Sequence, residues 1–200
     1  MKAGFFILIL SLLINVARAA APERPGEQVR ATTDKIIAIL KRPDLQGEAK
    51  RAERHRLIRE EIETRFDWDK IARSCLGRHW PKLSKQQQAE FMDAFKQFLE
   101  HTYLDRIEPY YDQLERIDYQ GERIAENVYA SVRTSVVTKQ KIDHPVEYRL
   151  EKSQGGLWRV YDVVIEGVSL VKNYRTQFDE IMTRSSFDGL LSELKSKNAS

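Results

Sequence analysis

The order of elements predicts an α+β fold: an antiparallel four-stranded meander covered by helices from the N-terminal half and the C-terminus. Three observations predict it. Helical periodicity fills the chain from about residue 27 to 109. Two-residue alternation replaces it between about 114 and 166, and helical periodicity returns after Ser169. A meander of this kind has to bury one face, and only the helices are available to cover it. The 200 residues suit a single domain, and 42% apolar with 32% charged residues describes a folded chain with a dense charged surface.

Each element has its own signal. Val29, Thr33, Ile36 and Leu40 form one stripe of a first helix, stopped at Arg42-Pro43. A second, from about Glu48 to Arg65, carries Ile58, Ile62 and Phe66 at four-residue spacing. Its other face mixes Arg and Glu, the pattern of a solvated face laced with i,i+4 pairs. Asp67 reads as the N-cap of a short third helix with Trp68, Ile71, Ala72, Cys75 and Leu76 on one face and Gly77 just past its end. Ser84 opens the fourth, where Gln87 completes a capping box. Its aromatic stripe is Phe91, Phe95, Phe98, Leu99 and Tyr103, and Pro109 is expected to end it.

A weak strand spans about Leu114–Ile124. From Asn127 to Gln140 the alternation is clean, with Val128, Ala130, Val132, Thr134 and Val136 facing one way. After a turn at Ile142–Pro145, Val146, Tyr148 and Leu150 alternate with charged residues. Gln154-Gly155-Gly156 turns the chain into a strand over Leu157–Glu166. Parity places Asp162 and Glu166 on one face of that strand with Trp158, Val160 and Val164. Ser169 caps a helix with the stripe Leu170, Tyr174, Phe178 and Ile181. Ser186 opens a last one with Leu190, Leu191 and Leu194, before a polar tail over 195–200.

Residues 1–19 read as a cleaved secretory signal. Lys2 precedes an apolar run from Phe5 to Val16, and Ala17-Arg18-Ala19 fits the cleavage rule. About a dozen apolar residues fall short of the ~20 that a spanning helix needs. Residues 20–26 are expected to form a disordered leader. Removing Lys2 and Arg18 from 33 basic residues leaves 31 against 30 acidic ones. A charge near +1 gives no electrostatic reason to expect nucleic acid.

Several chemistries lack their residues. His55, His79, His101 and His144 are scattered, with no metal-ligand spacing. There is no Gly-rich phosphate loop and no nucleophile elbow. Cys75 lies on an apolar helix face, where a packed thiol is the default. The Asp162/Glu166 pair could serve acid–base chemistry over a cavity. The plainer reading is that Asp162 accepts hydrogen bonds from backbone or an Arg, while Glu166 marks a strand end. The small inward face of the Asn127–Gln140 strand, set against large helix aromatics, fits either interlocked packing or a slot between floor and walls.

The run from Trp158 to Phe178 strongly resembles the signature of MlaC-type proteins, through Tyr161-Asp162, Glu166-Gly167-Val168-Ser169-Leu170 and Asn173-Tyr174-Arg175. Phe66-Asp67-Trp68, Leu76-Gly77-Arg78-His79-Trp80 and Asp188-Gly189-Leu190 are similar to other segments of that family. Its members are periplasmic phospholipid carriers of an ABC lipid-transport system, also called toluene-tolerance auxiliary proteins. The resemblance implies a single carrier domain over 27–194 with an apolar pocket between sheet and helices. It implies phospholipid as cargo, no cofactor and no catalysis. It also implies shuttling between an outer-membrane lipoprotein–porin complex and an inner-membrane ABC transporter with its lipid-binding subunit, maintaining outer-membrane lipid asymmetry.

Strand parity and helix stripes then place the acyl pocket on Phe95, Leu99, Tyr103, Val128, Val132, Val136, Tyr148, Leu150, Tyr174 and Phe178. Tyr161, Asp162, Tyr174 and Arg175 read mainly as a polar joint between the last strand and the helix after it. The alternatives are a small periplasmic enzyme of cone-like α+β fold, which would need an acid or base on the inward strand face, and a binding adaptor with a filled core.

Overall fold

Proline at the first helical position starts α1, which spans Pro25–Lys41. The computed structural model describes residues 23–198, and the side chains of all of these except 105–108. The expected signal over 1–19 lies outside the described residues. The expected leader is corrected at its last two residues. Pro25 and Gly26 are helical because proline's fixed φ suits the first turn and the Glu122 carboxylate accepts the Gly26 N–H at 2.5 Å.

Two short 3-10 turns lead into α2 (Arg51–Glu63), followed by α3 (Trp68–Leu76) and α4 (Lys85–Gln113). The Asp67 carboxylate accepts the Lys70 N–H at 3.0 Å, and Ser84 and Gln87 close a capping box on α4. Pro109 lies inside α4 rather than at its end. A proline costs a helix one hydrogen bond and does not by itself stop it. Then come β1 (Leu114–Ala125), β2 (Tyr129–Thr138), β3 (Asp143–Lys152), β4 (Trp158–Ile165) and β5 (Val168–Ser169), and finally α5 (Leu170–Arg184) and α6 (Phe187–Asn198). The expected tail is therefore largely helix, because its lysines extend the last turn of α6 where the dipole favours them.

The sheet is an antiparallel meander in the order β1-β2-β3-β4-β5. Among the described residues it has five strands, not four. The added two-residue β5 folds back on the end of β4, where Glu166 and Gly167 both take positive φ. β4 holds a second departure. Arg149 opposes Asp162 but Leu150 opposes Val160, so Tyr161 is an extra residue. The bulge inverts the parity after it. Val163 and Ile165, rather than Val164, continue the inner wall begun by Trp158 and Val160, and Val164 instead opposes Glu147.

The free edge of β4 is closed by the helical layer. The buried Gln28 side chain of α1 accepts from the Trp158 N–H at 3.1 Å and donates to its carbonyl. The α2–α3 junction pairs next: Val160 N donates to Arg65 O at 2.8 Å, and Asp67 N donates to Val160 O at 2.9 Å. Asp162 then accepts from Ser169 Oγ at 2.7 Å, Val171 N at 3.1 Å and Arg149 Nη1 at 3.2 Å. An edge that would template other strands is thereby satisfied internally.

Gln28→Leu keeps the side-chain volume but strands two buried backbone groups of Trp158. It should cost about 2–4 kcal/mol of stability, read from urea unfolding. A change below about 0.5 kcal/mol would show that water replaces the clasp.

Candidate functional site

Among the described residues the buried apolar side chains form three clusters rather than one. The largest is helical: α3, α4, α5 and α6 pack Cys75, Leu76, Phe91, Phe95, Phe178 and Leu190. The second seats Val29 of α1 on Ala130, Val132, Leu150, Trp158 and Val160 of the sheet. The third joins α1, α2 and α4 through Leu40, Ile58 and Leu104.

Between the three lies a cavity of about 690 Å³. Its floor is Val136, Val146, Tyr148, Leu150, Val160 and Val163 of the sheet. Its roof is the α1 stripe of Val29, Thr33, Ile36 and Leu40 with Ile62, Phe66 and Trp68. Phe95, Leu99 and Tyr103 of α4, with Leu170 and Tyr174 of α5, complete the wall. The cavity reaches exposed residues at two ends, beside Arg59 and Glu63 and beside Tyr110, His144 and Glu166.

The space opens beside exposed residues, but its lining is largely apolar, so its walls give water few partners. The polar atoms present are mostly engaged. The Tyr103 and Tyr174 hydroxyls bond each other at 3.2 Å, and Thr32 and Thr33 bond back to their own helix. Burial pushes the Tyr148 hydroxyl up to about 12, so it stays neutral. Asp162 is held by its three donors as the joint between β4 and α5. Such walls suit long aliphatic ligands.

Seven of the ten residues expected at the pocket line this cavity: Phe95, Leu99, Tyr103, Val136, Tyr148, Leu150 and Tyr174. Three do not. Val128 lies in the β1–β2 turn and is exposed. Val132 is on the inward face but buried under α1 in the second cluster. Phe178, one turn beyond Tyr174, packs into the helical core with its ring 5.1 Å from that of Phe95. Parity identifies a face, not how far along it a covering helix reaches. Sequence reasoning missed the roof, although the α1 stripe was visible, because a stripe does not say what it faces. It also missed Val163 and Ile165, which only the bulge brings inward.

Arg175 is not part of the polar joint. Its guanidinium packs over Gly77, where a Cβ would meet it at 2.7 Å. Two of the four histidines have carboxylate partners in view: His79 bonds Asp179 and His144 bonds Glu166, each at 2.7 Å. Among the described residues no group of His, Cys, Asp or Glu is placed to hold a metal ion, and no helix is long and apolar enough to cross a membrane.

Comparison with known proteins agrees along the whole fold. A family model described as MlaC protein matches residues 30–196. The toluene tolerance protein Ttg2D of Pseudomonas putida is 25% identical over 190 residues, 94% of this chain and 85% of its own. The intermembrane phospholipid transport system binding protein MlaC of Haemophilus influenzae is 20% identical over 204 residues, 98% of this chain and 92% of its own. A solved phospholipid-binding protein from Ralstonia solanacearum, in complex with a phospholipid, has a TM-score of 0.78 at 28% identity. The match covers 88% of this chain and 98% of that one.

Cys75 lines the cavity but is no nucleophile. Burial, reinforced by the Asp162 charge, pushes its thiol up to about 12. At pH 8 only roughly one molecule in ten thousand would carry the thiolate. Iodoacetamide should therefore modify the native protein at least about a hundredfold more slowly than the urea-unfolded chain, followed by intact mass. Equal rates would contradict a packed thiol.

Proposed function

The chain belongs to the MlaC family, and on that premise we propose that it is a periplasmic phospholipid carrier, exported by a cleaved signal over residues 1–19. The observation that carries the reading is the cavity: large, apolar and lying between sheet and helices. The phospholipid held by the Ralstonia solanacearum protein of similar fold supports the same cargo here. Phe95, Leu99, Tyr103, Val136, Tyr148, Leu150 and Tyr174 are the acyl-contact residues of this proposal. The domain over 27–194 acts as one carrier unit.

Magnitudes make such a carrier workable. Each methylene removed from water gains about 0.8 kcal/mol. Two chains of about 15 methylenes each gain on the order of 24 kcal/mol, and a bilayer offers nearly the same. Exchange between pocket and membrane is then close to neutral, provided that the chains never cross bulk water. Partner docking has to shelter that path. The donors and acceptors we assign are an outer-membrane lipoprotein–porin complex and an inner-membrane ABC transporter with its lipid-binding subunit. Direction comes from the transporter's ATP hydrolysis or from affinity differences along the route. Movement of phospholipid between the membranes in this way would maintain outer-membrane lipid asymmetry. We read the protein as a carrier rather than an enzyme, because the carboxylates along the cavity are committed: Asp162 holds β4 against α5, and Glu63, Glu100 and Glu166 pair with Lys96, Arg59 and His144.

Native mass spectrometry tests the reading. Gently purified protein should carry an added mass matching phospholipid. Val136→Trp fills the cavity floor, and should leave thermal unfolding within a few degrees while cutting bound lipid at least about fivefold. Undiminished lipid in the folded variant, or no lipid in the parent protein, would contradict the proposal.

A further inference from the structure

At the α2–α3 end of the cavity the charged groups pair off and leave one cation over. Arg59 Nε lies 2.9 Å from Glu100, and Lys96 pairs with Glu63 while standing 5.6 Å over the Trp68 ring. Arg65, at the C-terminal side of α2, also lines the cavity, and among the described residues no carboxylate pairs with it. Its Nε–H is buried without an acceptor, and so is the Nε1–H of Trp68, three residues on. Both residues line the cavity, and both atoms can only donate. Buried donors without acceptors are rare in native proteins and call for a specific explanation. The backbone beneath them is held firmly, since Arg65 O and Asp67 N both bond to Val160 and the Phe66 and Trp68 rings stack at 5.4 Å.

We propose that Arg65 and Trp68 form a phosphate subsite, in which the guanidinium and the indole N–H take the phosphodiester oxygens of the bound lipid. The inference deepens the carrier reading and rests on it. A guanidinium suits the geometry and charge of a phosphate, and an indole N–H adds a neutral donor beside it. The opposite end of the cavity carries Glu166, bonded to His144, whose carboxylate disfavours an anion there. The subsite reads the one group that phospholipids share and that diacylglycerol lacks. It thus distinguishes phospholipid from neutral lipid while leaving the rest of the head group unread.

The test uses delipidated full-length mature protein and two probes with identical pyrene-labelled chains, a phosphatidylglycerol and a diacylglycerol. The parent protein should prefer the phospholipid by about tenfold or more. Arg65→Met should bring that preference to within about threefold, leaving diacylglycerol affinity and thermal unfolding unchanged. Trp68→Phe should lower it by a smaller factor, and Arg65→Lys should restore part of it. An unchanged preference in Arg65→Met, equal weakening of both lipids, or loss of preference in His144→Gln instead would overturn the subsite while the carrier reading stands. Failure of the parent protein to bind either probe would overturn the carrier reading and the subsite together.

Discussion

The closure of one strand edge governs this architecture. β4 pairs with β3 on one side, and without the helical layer it would expose its other edge to water or to another chain. Three successive fastenings prevent that: Gln28 at Trp158, the α2–α3 junction at Val160, and Asp162 with β5 and the start of α5. Helices are therefore tied to the sheet along the line of β4. On β2, α1 covers Ala130 and Val132, with Phe66 packed beside it. The stretch around Val136 and Tyr148 keeps a space above it, and the apolar core divides into three parts around that space.

The division separates stability from ligand binding without isolating them. Phe91, Phe95, Tyr174 and Phe178 interlock as edge-to-face and stacked rings with centroids 5.1–5.6 Å apart. Phe95 and Tyr174 belong to that cluster and to the cavity wall at once. One side of the wall is thus held by packing that does not depend on what the cavity contains. The bulge at Tyr161 has a comparable double effect. It turns Val163 and Ile165 onto the wall, and it lets Asp162 oppose Arg149 while reaching Ser169 and Val171.

Much of the fold was legible because its signals are local. Asp67, Ser84 and Ser169 cap the helices that their spacing predicts, and each accepts a backbone N–H within the first turn. The clean alternation of β2 survives into the structure. What was not legible depends on partners distant in sequence. Nothing in Trp158–Ile165 announces that Tyr161 is supernumerary, because a bulge is a relation between two strands. β5 exists only because the turn at Glu166-Gly167 brings two residues back onto β4. The pocket followed the same rule. Val136 and Val132 share a face in sequence, yet α1 covers one and leaves the other open. Arg65 reads as one more charge on a solvated helix, and only the structure shows its Nε buried without an acceptor.

Isotope-filtered NMR on protein loaded with carbon-13-labelled phospholipid tests most directly whether the cavity holds acyl chains. The account predicts cross-relaxation from chain methylenes to the methyls of Val136, Leu150 and Val163, and none to Leu190 in the helical core. Contacts confined to exposed surface methyls such as Ile142 and Val168, with Leu150 and Val163 silent, would contradict it.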